Sequence, residues 1–247
     1  MTRRLIVNAD DFGQTGGITR GIVDCHRNGI VTSTSLMVTG AGLDEAIAMS
    51  RDNPKLAIGL HFDVWGEDER QWDTHNISAT RDEFNRQLEV FVDRIGRMPT
   101  HIDSHRHAHR EAHLYPHFLD WVRPLNIPLR GDRRVTFVGG FYGQWEWMVT
   151  ELQYISVPFL QEMLRNEVRP GCTEFSCHPG YLTPDYKGVY SREREVEIET
   201  LTNPLVRRTI ETEHIELISY ADYDPAMTAS VCDATPCSDT ATQGRST

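Results

Sequence analysis

No stretch of this 247-residue chain is a run of about 20 apolar residues, the length a membrane-spanning helix needs. Met1-Thr2-Arg3-Arg4 leads straight into a first apolar run without the long apolar core of a signal peptide, so a cytoplasmic location away from membranes is expected. Cysteine is sparse: Cys25, Cys172, Cys177, Cys232 and Cys237 are odd in number and form no C-x-x-C pair. Neither a disulfide framework nor a zinc ribbon is expected, which fits a reducing compartment. Basic charge is in deficit as well, with 25 Lys and Arg against 36 Asp and Glu for a net charge of −11. With no basic block longer than a couple of residues, nucleic acid and anionic membrane are poor partners. A neutral or cationic small substrate, or one handled with a metal, fits better. There is also no Gly-rich phosphate or dinucleotide loop behind the first strand.

What the chain does have is an alternation of apolar runs and amphipathic stretches. Leu5–Asn8 reads as a first strand, 16–28 as a helix ended by Gly29, and Ile30–Val38 as a second strand rich in β-branched residues. Asp44–Arg51 reads as a helix and Leu56–Phe62 as a strand; 65–79 is polar and loop-like. Arg81–Arg97 carries Phe84, Leu88, Phe91, Val92 and Ile95 on one helical face, and His101–His105 alternates like a strand. A helix over His113–Val122 and a strand over Ile127–Arg130 follow. An aromatic, Gly-rich stretch spans 131–150. Beyond it come a helix at Val157–Asn166, a strand at Gly171–Cys177, a charged helical segment 190–212 and a last strand 214–220. From Asp224 the composition turns to Ser, Thr, Ala and Asp, so 1–223 is expected to be one domain and 224–247 a disordered tail. About seven strand–helix alternations point to a parallel α/β domain.

Four polar clusters each follow directly on an apolar run. Asp10-Asp11 follows the first strand and His61 the third, Asp103-Ser104-His105 closes a later one, and His178-Pro179-Gly180 follows Gly171–Cys177. Convergence of side chains from several strand ends is the habit of (β/α) barrels, whereas an open doubly wound sheet concentrates its site at one switch point. A barrel is therefore expected. A lone histidine is ordinarily a satisfied structural residue, but six of the chain's 11 histidines fall between 101 and 117. On strand spacing His101, Asp103 and His105 point the same way. His113 and His117 are expected on a solvated or half-buried helix face, and Glu111 stands wrongly for a zincin motif. One carboxylate with two imidazoles is a common catalytic metal set. Asp11 or Asp10 with His61 and His105 supplies it, leaving the other acid as general base and His178 as general acid from the opposite side. The competing reading of Asp10-Asp11 as a helix cap needs one acid, and the chain has two.

With these residues in view, the chain resembles the YdjC-like carbohydrate deacetylase family, which includes the chitooligosaccharide deacetylases. The resemblance rests on Val7-Asn8-Ala9-Asp10-Asp11-Phe12-Gly13, Asn28-Gly29-Ile30-Val31-Thr32-Ser33-Thr34, Ala57-Ile58-Gly59-Leu60-His61-Phe62, Pro99-Thr100-His101-Ile102-Asp103-Ser104-His105 with His107, and Cys177-His178-Pro179-Gly180-Tyr181. It implies an α/β fold of the divergent (β/α) barrel type, related to the polysaccharide deacetylases. It also implies a divalent ion, Mg²⁺ foremost with Zn²⁺ or Mn²⁺ as alternatives, on Asp11, His61 and His105. Asp10 would be the base and His178 the leaving-group acid, acting on N-acetylated amino sugars; a homodimer is a further family-level expectation. Arg106 stands where the family usually has the middle histidine of three, and the segment between His61 and His101 is short for the chitooligosaccharide enzymes.

Within that expectation Asp103 orients a ligand histidine. Arg106, Trp65 and Tyr142, with Trp145 and Trp147, are candidates for substrate contact, against the ordinary reading of aromatic core packing. Two other functions remain in contrast. A glycosidase using Asp10 and Asp11 would need its carboxylates several ångströms apart across the bond, which adjacent residues do not provide. A non-enzymatic metal binder would have no use for Asp10 or His178.

Overall fold

The computed structural model describes residues 2–66 and 72–227. The expected tail thus lies, from residue 228 on, outside the described residues. Seven strands form one parallel sheet: β1 (Arg3–Phe12), β2 (Ser33–Leu36), β3 (Ala57–Phe62), β4 (Ile102–Ser104), β5 (Thr136–Val138), β6 (Gly171–Cys177) and β7 (Ile215–Leu217). Their order is β4-β3-β2-β1-β6-β5, with β7 pairing the first residues of β1. Among the described residues seven α-helices cover the sheet: α1 (Gly16–Asn28), α2 (Leu43–Asp52), α3 (Ile77–Ile95), α4 (Tyr115–Val122), α5 (Val157–Asn166), α6 (Arg192–Leu201) and α7 (Pro204–Thr212). Among the described residues no helix is long and apolar enough to cross a membrane.

The period of two along each strand sorts the side chains onto two faces. Leu5, Val7 and Ala9 of β1, Ile58, Leu60 and Phe62 of β3, and Phe175 of β6 join helix residues such as Ile18, Ile22, Phe84 and Phe118 in the large outer core. The opposite face lines the interior of a curled sheet. Its lowest layer is a small apolar cluster of Ile6, Ala57, Val135, Cys172, Ile218 and Tyr220. Above it the same strands turn polar, with Asn8 and Asp10, Ser33 and Ser35, His61, His101 and Asp103, and Glu174, all buried. Gly59 sits in that interior for a steric reason: a Cβ there would lie 2.4 Å from the His101 ring.

Several expected boundaries move, each for a local reason. Ile127–Arg130 is no strand. It makes a single bridge, Leu129 with Ile102, because the Leu129 N–H is taken by the Asp132 carboxylate and a turn follows. The fifth strand falls instead at Thr136–Val138, beside β6. The loop expected over 65–79 gives way to helix at Ile77, where Asn76 accepts from Ala79 N–H as a cap. The expected 190–212 helix is two helices, since Pro204 cannot continue α6 and Asn203 caps α7. β4 ends at Ser104, so His105 is not on the strand. It opens a 3₁₀ turn in which Arg106 and His107 take left-handed backbone angles (φ 51° and 53°), pinned by Ser104 Oγ accepting from His109 N–H.

Candidate metal centre and active site

At the end of β1 the backbone of Asp11 enters the left-handed region, with φ 70°, and Gly13 follows at φ 87°. A non-glycine residue pays strain for such a conformation, and strain of this kind concentrates at sites that need a side chain aimed. Here it aims the Asp11 carboxylate at two histidines. Asp11 Oδ1 lies 3.3 Å from His61 Nε2 on β3 and 3.2 Å from His105 Nδ1 after β4. Ligand atoms of all three buried residues fall within 4.8 Å of one another. His61 Nδ1 is 2.7 Å from Asp103 Oδ1, which assigns its proton to that nitrogen and turns Nε2 toward Asp11. That Nε2 is buried with no hydrogen-bond partner. An orphaned imidazole nitrogen facing a carboxylate, with the ring fixed from behind by a second carboxylate, fits a divalent cation. The local field agrees. Burial opposes the charged form of His61, yet Asp103, Asp11 and Asp10 together hold its pKa well above the ordinary value. What attracts a proton there attracts a cation.

Asp10, His61 and Asp103 also lie close enough to form a second donor group, but a cation already sits among them. Arg130 Nη2 is 2.7 Å from both Asp10 Oδ1 and Asp103 Oδ2, and 2.8 Å from Glu174 Oε1. Its Nη1 donates to Asp10 Oδ2 at 2.7 Å, making a two-pronged grip on Asp10. Burial raises the Asp10 pKa, and Arg130 more than offsets it, leaving Asp10 below the usual carboxylate range. The lone pairs of Asp10 can be counted. Oδ1 accepts from Arg130 and from Asn8 Nδ2 at 2.9 Å, whereas Oδ2 accepts from Arg130 alone. Oδ2 is the oxygen with capacity left for a proton. His178 Nε2 stands 3.8 Å from it. His178 therefore sits beside Asp10, not opposite it as the sequence suggested. Burial lowers the His178 pKa to about 4, so the ring is neutral at pH 7.

Helix α6 supports this arrangement with charged residues turned inward. Arg194 donates from Nη2 to Asp11 Oδ2 (2.7 Å), from Nη1 to the His178 carbonyl (3.1 Å) and from Nε to Tyr186 (3.1 Å). Glu197 accepts from the His178 backbone N–H and from the Tyr190 hydroxyl. Glu193 accepts from Gln144 and Thr150 and so ties down the aromatic stretch. Burial pushes the Glu197 carboxyl up to about 8.

The remaining expected site residues fall at different depths. Tyr142 is stacked flat on Tyr190 at 4.7 Å and meets the His178 ring at 5.6 Å, so it borders the centre. Arg106 is exposed in the turn directly after His105. Trp65 is half-buried against the outer core, with its indole N–H directed at the Trp72 carbonyl. Trp145 and Trp147 are 54% and 67% exposed, and Trp145 touches Tyr142 edge-on. His109 is structural, with its nitrogens on Ser104 and the Arg130 carbonyl. His117 is half-buried on α4, as expected, whereas α4 begins only at Tyr115 and leaves His113 half-buried in the turn before it. Arg130, Glu174, Arg194 and Glu197 escaped sequence reasoning. Arg130 alone carried a signal, since it ends the apolar run Ile127-Pro128-Leu129 just as the recognised polar residues end theirs.

The family model described as YdjC-like protein matches residues 4–212. The chain is 32% identical over 260 residues to a chitooligosaccharide deacetylase of Serratia marcescens, covering 90% of this chain and 100% of that protein. Among solved structures it is similar to a protein of Enterococcus faecalis V583 proposed to cleave cellobiose phosphate, at 27% identity and a TM-score of 0.74, with 90% and 98% of the two chains covered. A family 4 carbohydrate esterase from Streptomyces lividans, solved with acetate, shares the fold at 11% identity and a TM-score of 0.55, over 89% of this chain and 94% of that one. The expected divergent (β/α) barrel is thus the fold observed.

Proposed function

We propose that this chain, which belongs to the YdjC-like protein family, is a metal-dependent hydrolase that removes N-acetyl groups from amino sugars or short chitooligosaccharides. The observation that carries the reading is the convergence of Asp11, His61 and His105 beside Asp10, whose Oδ2 keeps a lone pair for a proton, and the ring of His178. The activity named for the Serratia marcescens relative supplies the acetylated sugar. Asp11 Oδ1, His61 Nε2 and His105 Nδ1 would hold the ion, Mg²⁺ foremost, with Zn²⁺ or Mn²⁺ suited to the same donors. When bound, such an ion polarises the acetyl carbonyl and makes water acidic enough to attack it.

The chain's own residues carry the protons. Asp10 Oδ2 takes a proton from the attacking water, while Arg130 and Asn8 keep the carboxylate from rotating. The amine is a poor leaving group until protonated, so His178 delivers a proton to the sugar nitrogen as the C–N bond breaks, giving acetate and a free amine. Because His178 is neutral at rest, the proton it delivers must first reach it, and Asp10 Oδ2 at 3.8 Å is placed to pass it on. Tyr142 borders the acyl site beside His178. Arg106, exposed in the turn directly after His105, is the nearer candidate for sugar contact, and Trp65, packed on the outer core, the more distant one.

The test is acetate release from N,N′-diacetylchitobiose by metal-loaded protein. Asp10→Asn should lose at least about 100-fold in rate, the usual worth of a positioned proton acceptor, while still binding metal. No acetate from any N-acetyl sugar with Mg²⁺, Mn²⁺ or Zn²⁺ would overturn the reading.

A further inference from the structure

The two oxygens of Asp11 are divided between two positive partners. Oδ1 faces the histidine nitrogens, and Oδ2 accepts from Arg194 at 2.7 Å. Arg194 is fully buried, and its guanidinium lies 5.0 Å from the Tyr186 ring, so it cannot swing away into solvent. It is also bound to the carbonyl of His178, so one side chain fixes both the carboxylate of the donor set and the loop that carries the proposed acid. Asp11, His61 and His105 alone would give a donor set of one negative charge with two neutral rings. Arg194 places a fixed positive charge 2.7 Å from the second oxygen of that one carboxylate.

We propose that Arg194 is a positioning residue that sets the charge and denticity of the metal centre. It occupies the outer oxygen of Asp11, restricts that carboxylate to one ligand oxygen, and weakens the hold on a divalent ion by placing a fixed positive charge behind it. The inference rests on the metal reading given above. Two effects oppose each other when Arg194 is removed. Losing the anchor frees the carboxylate, which weakens binding. Losing the positive charge leaves Asp11 Oδ2 buried without its cationic partner, and removes a repulsion that acts on a divalent ion across a short distance in a low-dielectric interior. The second dominates here, because Asp11 stays aimed by its own left-handed backbone and by the turn in which Gln14 N–H donates to the Asp11 carbonyl.

The experiment is calorimetric titration of the metal-stripped full chain with Mn²⁺, alongside Arg194→Met, Arg194→Gln and Arg194→Lys. The neutral variants should bind Mn²⁺ at least tenfold tighter than the parent, and Arg194→Lys within threefold of it. With Co²⁺ in place of Mn²⁺, the neutral variants should show weaker visible absorption bands as Asp11 gains a second ligand oxygen. Neutral variants that bind Mn²⁺ equally or more weakly overturn the proposal and leave the metal reading standing. A parent chain that takes up no Mn²⁺ overturns both. If the neutral variants do not fold, Arg194→Lys still decides, since a loss of more than tenfold in its affinity would show an anchor and not a charge.

Discussion

Asp103 touches no expected metal ligand atom, yet both its oxygens bear on the centre. Oδ1 receives the His61 Nδ1 proton at 2.7 Å, and Oδ2 meets Arg130 at the same distance. Asp103→Asn would keep the shape but present an amide in place of an acceptor pair, so His61 would lose the partner that fixes its tautomer. Metal affinity should fall about 10- to 100-fold, read by Mn²⁺ titration. Arg130→Met should act on stability: it leaves Asp10, Asp103 and Glu174 without their common cation. A loss of about 3–5 kcal/mol in urea denaturation is expected, and a variant as stable as the parent would show that the three acids are satisfied some other way. At this scale the sequence was informative where chemistry sits next to an apolar run. Asp10, Asp11 and His61 lie in the last residues of a strand, and His105 and His178 follow one directly. Arg130 and Glu174 were harder to read because their meaning lies in a register across β1, β4 and β6 that no local pattern encodes.

Helix α6 shows why an element can be located and still be misread. Its composition, Arg192 through Glu199 with five charged residues beyond the first, resembles a solvated surface helix. In the fold Glu193, Arg194 and Glu197 are buried and hold the aromatic stretch, Asp11 and the His178 loop. Nothing in helical spacing distinguishes charges that face a site from charges that face water. The burial has a consequence for pH. Glu197 is pushed up to about 8 in the folded protein from an ordinary value of 4.5. Between those values the folded chain retains a proton that the unfolded chain releases, so this group's contribution to stability is fully present below pH 4.5 and is lost as pH rises through 8. Glu197→Gln does not titrate. Its stability relative to the parent should therefore rise from pH 5 to pH 8, by roughly 1–4 kcal/mol, measured by denaturation at both pH values. A difference that stays flat would mean Glu197 is ionised throughout.

Across the whole molecule, the barrel interior is graded from an apolar layer through the ion pairs of Arg130 to the cluster of Asp11, His61 and His105. The alternation of apolar runs made the parallel barrel legible, and β6, α1 and α5 fell where their periodicity put them. The interior was not legible, because strands β1, β3 and β6 read as apolar runs while hiding Asn8, Asp10, His61 and Glu174 on the inner face. The bottom of that gradient is closed by Tyr220, three residues beyond the end of β7. Tyr220 stacks on His101 at 3.9 Å and donates its hydroxyl to Glu174 Oε2 at 2.7 Å. Glu174 in turn holds Arg130, and Arg130 holds Asp10. Tyr220→Phe keeps the stacking and removes only the donor, leaving a buried carboxylate oxygen short of one hydrogen bond at a cost of about 1–3 kcal/mol. Asp11 and His61 should not feel it, because Asp11 is held by Arg194 and His61 by Asp103, whereas the Tyr220 hydroxyl reaches Glu174. Urea denaturation should thus show the loss while Mn²⁺ affinity stays within twofold of the parent. A matching drop in Mn²⁺ affinity would show instead that floor and mouth form one cooperative unit, joined through Glu174 and Arg130.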